Sequence, residues 1–135
     1  MAVAFTLEVP ISFGHCDPAG IVYYPNYYRW FDRCFHTYMA QNAGGHVEVC
    51  AKLGSIGLGI IDSGATFKSP TLQNDVLQLE MSFGETSRKT FRLNYTGLIN
   101  GRIAAEGYEV RGVFLKTEVG LRGGEVAPLM DILRK

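Results

Sequence analysis

The chain has 135 residues, of which 47% are hydrophobic and 19% are charged. This length suits one domain with one core, and the many large apolar side chains exclude a disordered chain. Thirteen basic residues balance thirteen acidic ones, which disfavours a nucleic-acid binder because that class normally carries a basic surplus. We therefore expect a single folded domain over residues 1–135.

The three cysteines indicate a reduced protein of the cytoplasm. Their odd number and the lack of a C-x-x-C pair fit neither a disulfide framework nor a zinc ribbon. The first residues lack the basic and apolar regions of a signal peptide, and no apolar run approaches the roughly 20 residues that cross a bilayer. The histidines at 15, 36 and 46 show no metal-ligand spacing. We expect no metal, no nucleic-acid partner and no membrane association.

The chain begins with a predicted edge strand. Apolar residues alternate with polar ones from Phe5 to Phe13, and a period of two is typical of a strand with one buried face. Pro10 lacks an N–H and lies on the polar side, which suits an edge or the end of a strand. Residues 14–20 then form a turn-rich stretch with proline and glycines.

A long amphipathic helix is predicted from Pro25 to about Asn42. Proline favours the first turn of a helix, Gly44 favours its end, and a step of about 100° per residue gathers the apolar side chains on one broad face. That face comprises Tyr27, Trp30, Phe31, Cys34, Phe35 and Tyr38. Shorter helices are predicted for residues 46–53 and, at the end of the chain, for about 128–134.

The remaining segments predict strands. They are the glycine-punctuated residues 56–67, the alternating stretches 77–83 and 91–95, and a long strand over 103–116. The last strand follows the hairpin signal Asn100-Gly101.

The alternation of the last strand breaks at Glu106, and Gly107 predicts a β-bulge there. The element order, a strand, a long helix and then four strands in an antiparallel meander, predicts an α+β fold. Only the long helix is large enough to cover the apolar face of the sheet. We expect about five antiparallel strands wrapped around one central helix.

Residues 13–32, FGHCDPAGIVYYPNYYRWFD, carry the most specific pattern in the chain. This stretch, with a D-x-A-G core at 17–20, resembles the signature of the 4-hydroxybenzoyl-CoA thioesterase family, whose members are acyl-CoA hydrolases with the hotdog fold. Residues 67–77 are similar to the start of that family's third strand. The resemblance covers nearly the whole chain and implies a single hotdog domain.

The resemblance implies that Asp17 is the catalytic carboxylate, acting either as a nucleophile through an acyl-aspartyl anhydride or as a base for water. Thioester hydrolysis needs such a group and a donor for the developing oxyanion, because the thiolate already leaves well. The unpaired N–H groups and positive dipole end of the helix face this turn, so we expect a backbone N–H near Tyr24 to polarise the carbonyl. Local composition alone favours an ordinary turn aspartate.

Three further residues are implied to contact the substrate. Hydroxybenzoyl-specific members of the family place an aspartate at the position of Asp32 against the phenolic hydroxyl. The residues alone suggest instead a solvated Asp32 paired with His36 at i+4. The family also places Arg88 and Lys89 against the nucleotide phosphates of coenzyme A, as suits an anionic tail, although unaided they look like an ordinary hairpin turn.

Three positions depart from the family pattern. His15 stands where an acidic residue is common, Gly59 where the benzoyl-specific pattern has a hydroxyl, and Ser87 where a further arginine occurs. These departures bear on the acyl group and on CoA affinity more than on the type of reaction.

The predicted function is hydrolysis of an aromatic acyl-CoA, with a hydroxybenzoyl-CoA as one candidate, to free acid and CoA without a cofactor. Open sheet edges predict a homodimer or homotetramer with active sites at subunit interfaces. Two alternatives stay open. One is a hotdog hydratase or dehydratase, for which His15 is the only nearby base. The other is a non-catalytic acyl-CoA binding module, which would keep Arg88 and Lys89 and tolerate loss of Asp17.

Overall fold

Five antiparallel strands form the main sheet in a computed structural model that describes residues 2–134. The strands are β1 Phe5–Pro10, β2 Ile60–Phe67, β3 Val76–Thr86, β4 Phe91–Ile99 and β5 Arg102–Arg111, in the order β1-β3-β4-β5-β2. The predicted α+β class is confirmed. The predicted four-strand meander is wrong for β2, which lies at the far edge beside β5 rather than beside β3. Alternation indicates which face is buried but does not specify the partner strand.

The helices follow the predicted pattern closely. They are α1 Pro25–Ala43, α2 His46–Leu53 and α3 Ala127–Leu133. Gly44, with φ of 81°, ends α1 in the left-handed conformation that glycine adopts at little cost. All six residues of the predicted apolar face of α1 are buried. The central helix is therefore held to the sheet by the stripe that its period predicted.

The first strand is shorter than predicted. It ends at Pro10, and Phe13 is 78% exposed at the start of a single 3₁₀ turn, Phe13–His15. The Ser12 N–H donates to His15 Nδ1 at 3.0 Å, and the His15 N–H donates to the Ser12 carbonyl at 3.1 Å. These local hydrogen bonds replace strand pairing and turn the chain toward the loop that carries Asp17.

The predicted long strand over 103–116 is two strands. After β5 the chain continues as β6 Val113–Thr117, which pairs with β7 Gly120–Gly124 in a separate two-stranded sheet. At the break, the Gly112 N–H donates to the Gly59 carbonyl at 3.0 Å. Alternation continues across this change of partner, so the sequence pattern does not reveal it.

The irregularity of β5 lies earlier than predicted. The pairing of β4 with β5 shifts between Gly97 and Leu98, which leaves Ala104 as the extra residue. Gly107 is not a bulge, because it pairs regularly with Tyr95 and Ala65. A Cβ at Gly107 would lie 2.4 Å from the Phe31 ring of α1, so this glycine lets the helix pack closely on the sheet.

The preceding hairpin is as predicted. Asn100 and Gly101 both have positive φ, 49° and 79°, as a two-residue type I′ turn requires.

Candidate active site

The loop that carries Asp17 is closed by main-chain hydrogen bonds. The Asp17 N–H donates to the Ile21 carbonyl and the Gly20 N–H donates to the Asp17 carbonyl, both at 2.9 Å. The Ala19 N–H donates to Asp17 Oδ1 at 2.9 Å. Within residues 2–134, Asp17 Oδ2 receives no hydrogen bond. Asp17 is thus a turn residue by its local bonds, and it keeps one carboxylate oxygen free for chemistry.

The start of α1 supplies a free amide beside this loop. Tyr24 caps the helix with φ of −57° and ψ of −33°. The Asn26 N–H donates to the Tyr23 carbonyl and the Tyr27 N–H donates to the Tyr24 carbonyl, while Pro25 has no N–H to offer. Among the described residues the Tyr24 N–H has no acceptor. It is an unpaired donor at the positive end of a 19-residue helix.

Asp17 and Tyr24 line the same cavity, which has a volume of about 200 Å³. The other lining residues are mostly apolar: Ile21, Val22, Tyr27, Phe67, Ser69, Pro70 and Thr71. The structure therefore brings together the two groups that the sequence proposed for catalysis. Acyl transfer requires a nucleophile or base and a donor for the oxyanion, and one residue that carries each kind of group lines this largely apolar cavity.

Asn26, a residue whose role the sequence reasoning missed, ties the loop to the helix. Its side chain is buried, its Nδ2 donates to the His15 carbonyl at 2.8 Å, and its Oδ1 accepts from Arg29 Nη1 at 3.0 Å. His15 precedes Asp17 by two residues, so this clamp fixes the loop against the first turn of α1. The sequence did contain a signal for this role, because Asn26 is a polar residue on the buried side of the first helical turn.

A buried pair of hydroxyls lies in the wall of the same cavity. Tyr27 and Thr71 are 4% and 2% exposed, and their hydroxyls are hydrogen-bonded to each other. Burial raises the pKa of Tyr27 above its ordinary value. The pair links α1 to the segment after β2 and satisfies two polar groups that would otherwise be unpaired in the core.

Asp32 lies in a different cavity from Asp17. It is two helical turns beyond Tyr24, about 12 Å along α1 at 1.5 Å per residue. It lines a cavity of about 370 Å³ together with His36, Arg111 and Phe114. Its side chain is 55% exposed, and its Oδ1 lies 3.5 Å from His36 Nε2. The predicted i+4 pair is therefore confirmed as a contact.

A buried charge network supports Asp32, and sequence reasoning missed it. Arg111 is 2% exposed and donates from Nη2 to Asp32 Oδ1 at 2.8 Å and to both oxygens of Glu109 at 3.0 Å. Glu109 is 3% exposed and accepts from the Tyr95 hydroxyl at 2.6 Å. The signal was present as two opposite charges at i and i+2 of a strand, both in phase with its buried face.

The network perturbs the ionisable groups around this cavity. The hydrogen bond from His36 and the adjacent Arg111 guanidinium hold the pKa of Asp32 well below its usual range, against the effect of burial. Burial raises the pKa of Glu109. Burial and the neighbouring positive groups lower the pKa of His46, whose ring centroid is 4.9 Å from that of His36. Asp32 is consequently an ionised acceptor.

Gly59 lines the Asp32 cavity, and the Phe114 ring occupies the space of its missing side chain. A Cβ at residue 59 would lie 2.0 Å from Cε2 of Phe114. Residue 59 carries a hydroxyl in the benzoyl-specific pattern. In this chain the Phe114 ring fills that space instead.

Arg88 and Lys89 are not brought to either cavity. They lie in the turn between β3 and β4, as the sequence predicted. Arg88 is exposed and donates from Nε to Glu125 Oε1 at 2.8 Å. The Val126 N–H also donates to the Arg88 carbonyl. This turn is therefore anchored to the segment before α3, with one of its two cations paired to a carboxylate.

Residues 2–134 show neither a metal site nor a membrane-spanning helix. No three His, Cys, Asp or Glu side chains there are arranged to hold a metal ion. No helix in the same range combines the length and apolarity of a membrane span. His15, the base that a hydratase would need, accepts from Ser12 at Nδ1 and packs its ring against Trp30 at 5.2 Å.

Comparison with protein families gives one match over most of the chain. The sequence model of the Thioesterase superfamily matches residues 19–102. The chain is also 36% identical over 92 residues to the 4-hydroxybenzoyl-CoA thioesterase of Pseudomonas sp. strain CBS-3. That alignment covers 67% of this chain and 65% of the relative, so the chain spans slightly less than two thirds of that relative's length.

Solved structures give matches over nearly the full chain. A mutant 4-hydroxybenzoyl CoA thioesterase in complex with 4-hydroxybenzoyl CoA superimposes with a TM-score of 0.85 at 29% identity, over 95% of this chain and 96% of that one. A gentisyl-coenzyme A thioesterase gives a TM-score of 0.76 at 28% identity, over 96% and 99% of the two chains. These likenesses confirm the predicted hotdog fold.

Proposed function

Because this chain belongs to the Thioesterase superfamily, we propose that it hydrolyses an aromatic acyl-CoA to a free acid and CoA. The observation that carries the proposal is the shared cavity of Asp17 and Tyr24. Two similar proteins are named for aromatic substrates, 4-hydroxybenzoyl-CoA and gentisyl-coenzyme A, and their names support an aromatic acyl group for this chain.

We propose that Asp17 acts as the nucleophile. Its free Oδ2 attacks the thioester carbonyl carbon, a C–O bond forms, and the C–S bond breaks as the CoA thiolate leaves. Water then hydrolyses the acyl-aspartyl anhydride and regenerates the carboxylate. The complex of 4-hydroxybenzoyl CoA with an Asp-to-Asn mutant of the similar thioesterase supports a role for an aspartate. The alternative is Asp17 as a general base for water.

The Tyr24 N–H is the proposed donor to the developing oxyanion. It is unpaired among the described residues, and the dipole of α1 adds positive potential at the same point. An amide fixed before the reaction begins stabilises the transition state without reorganisation. Carboxylate and amide together account for the proposed steps without a metal or organic cofactor.

Arg88 and Lys89 are the proposed contacts for the nucleotide phosphates of CoA. Both are exposed and lie in a turn that main-chain bonds hold in place. The pairing of Arg88 with Glu125 lowers the net positive charge of this turn. We therefore expect a modest contribution to affinity from this pair, sensitive to salt.

A second copy of the chain is the proposed partner, as a homodimer or homotetramer. β2 is an edge strand, and Ile60, Ile61 and Phe67 on it are about half exposed. Phe67 lines the Asp17 cavity and Ile60 lines the Asp32 cavity, so both cavities border this edge. A subunit bound along β2 would pair the edge and place the active site at the interface.

A cytoplasmic location is also part of the proposal. Cys16, Cys34 and Cys50 are free thiols in the described chain, as suits a reducing compartment.

Neither alternative function is favoured by a specific contact. A hydratase needs a histidine free to move a proton, and His15 is engaged by Ser12 and Trp30. A non-catalytic binding module would need neither the unpaired Tyr24 amide nor the free carboxylate oxygen of Asp17.

Thiol release from a panel of aroyl-, phenylacetyl- and fatty-acyl-CoAs tests the function. We expect turnover of aroyl-CoAs and a loss of at least about 10²-fold for Asp17→Asn, which is the smallest contribution of a positioned general base and a lower bound for a nucleophile. Asp131→Asn, an exposed carboxylate on α3, is the matched control and should keep wild-type rates. Thiol release unaffected by Asp17→Asn, or no release from any thioester, would contradict the proposal. An acyl adduct on the chain after rapid quenching would distinguish nucleophile from base.

A further inference from the structure

Arg111 has no freedom to reorient. Its Nε donates to Glu109 at 3.1 Å, its Nη1 donates to the Leu58 carbonyl at 2.8 Å, and its Nη2 is shared between Glu109 and Asp32. The guanidinium also lies over the Phe35 ring at 4.9 Å. Each of its three nitrogens has a partner and one of its faces lies over a ring, so its direction is set by the core.

The partner of Arg111 is itself fixed. Glu109 accepts from the Tyr95 hydroxyl at 2.6 Å, and the Tyr95 ring stacks on Phe31 with centroids 4.6 Å apart. Tyr95 and Phe31 are each 1% exposed. A rigid chain of contacts thus runs from the aromatic core to the one guanidinium nitrogen that reaches Asp32.

Asp32 is the exposed end of this chain. Both Arg111 and His36 contact its Oδ1, and within residues 2–134 its Oδ2 receives no donor. Asp32 lines the cavity that borders β2. An aspartate on a helix surface normally samples several rotamers, whereas this one is held with one oxygen occupied and the other available.

The resemblance already implies that Asp32 contacts a hydroxyl of the aromatic acyl group. We propose that Arg111 is the positioning residue for this contact, because its bond to Asp32 Oδ1 orients the free Oδ2 that accepts the hydroxyl. This inference rests on the proposed function, because it assumes an acyl-CoA whose thioester lies at Asp17 and whose ring extends to the Asp32 cavity. It predicts that a ring hydroxyl, which can donate, is preferred over an unsubstituted ring, because an unpaired acceptor in the complex costs binding energy.

Binding measured without turnover tests the inference. In an Asp17→Asn background, calorimetry gives Kd for 2-, 3- and 4-hydroxybenzoyl-CoA and for benzoyl-CoA. We expect one hydroxylated ligand to bind about 10–100-fold more tightly than benzoyl-CoA, the range of a hydrogen bond to a charged group. Arg111→Lys should reduce this ratio to within about 3-fold, because an ammonium cannot serve Glu109, Leu58 and Asp32 together. Arg122→Lys, exposed on β7, should leave it unchanged.

A double-mutant cycle separates positioning from general damage. If Arg111 acts through Asp32, Arg111→Lys should not lower the ratio further once Asp32 is alanine. A ratio that survives Arg111→Lys, a further loss in the Asp32→Ala background, or no preference for any hydroxylated ligand would each overturn the inference. Should Arg111→Lys fail to fold, Glu109→Gln/Arg111→Met replaces it with the same expectations. Failure of wild-type turnover would count against the proposed function alone, since these ratios come from binding.

Discussion

Asp17 and Asp32 are carboxylates on either side of the start of one helix, and their surroundings are opposite. Asp17 is held by a neutral amide, that of Ala19, and keeps Oδ2 free. It shares a cavity with Tyr24, whose amide is unpaired among the described residues. Asp32 is held by two cationic or titratable groups, Arg111 and His36. A neutral donor leaves the charge available for attack, whereas cationic partners stabilise and orient it. The contrast suits one carboxylate to reaction and the other to recognition.

The largest expected effect comes from removing Arg111, the residue that supports Asp32. Arg111→Met leaves Glu109 buried without its cation, and we expect the free energy of unfolding to fall by about 3–5 kcal/mol, the usual cost of breaking a buried ion pair. Urea denaturation monitored by circular dichroism measures the change.

The control for this prediction neutralises both partners. Glu109→Gln/Arg111→Met leaves no buried charge, and we expect it to regain most of the lost stability. Equal instability of the single and double variants would show that packing, rather than charge, accounts for the loss.

Deletion of one amide proton, that of Tyr24, tests the proposed oxyanion donor in the Asp17 cavity. Tyr24→Pro removes the unpaired N–H at a residue whose φ of −57° already suits proline. We expect kcat to fall by about 10²–10³-fold, the effect of losing one oxyanion donor. Tyr24→Ala keeps the N–H and removes only the side chain, so thiol release by this control should exceed that of Tyr24→Pro by at least about tenfold. Equal rates for the two variants would remove the amide from the mechanism.

The smallest expected effect is the pH dependence that Asp32 contributes to stability. His36 and Arg111 lower the pKa of Asp32 in the folded state. Its stabilisation is therefore fully present above the unfolded pKa of about 3.9 and is lost progressively as the pH falls from there through the lowered folded-state pKa. The side chain is 55% exposed, so solvent screening limits the effect to about 1 kcal/mol or less. Unfolding curves at pH 6 and pH 3 should show a smaller acid loss for Asp32→Asn than for wild type. An equal loss would contradict the assignment.

The helices and most strands could be predicted because burial repeats with their geometric periods. Pro25, Gly44 and the apolar stripe define α1 without reference to the rest of the fold. The position of β2 and the division at Gly112 could not be predicted in this way. Both depend on which strand supplies hydrogen bonds, and the period-two pattern of side chains is the same for any partner.

The candidate site could be predicted only for the residues that lie within a local sequence motif. Asp17 and Tyr24 lie within one short stretch whose pattern is specific, and their shared cavity follows from a loop joined directly to a helix. Arg111 meets Asp32 from 79 residues away in the chain. Such a contact depends on how α1 is positioned on β5 in the folded chain, and no local sequence pattern predicts that position.

The contact between Gly59 and Phe114 makes the two positions interdependent. A side chain at residue 59 would collide with the Phe114 ring as it is placed, unless residue 114 became smaller. A smaller residue 114 beside Gly59 would in turn leave a void. Redesign of the Asp32 cavity therefore has to exchange both residues in one step.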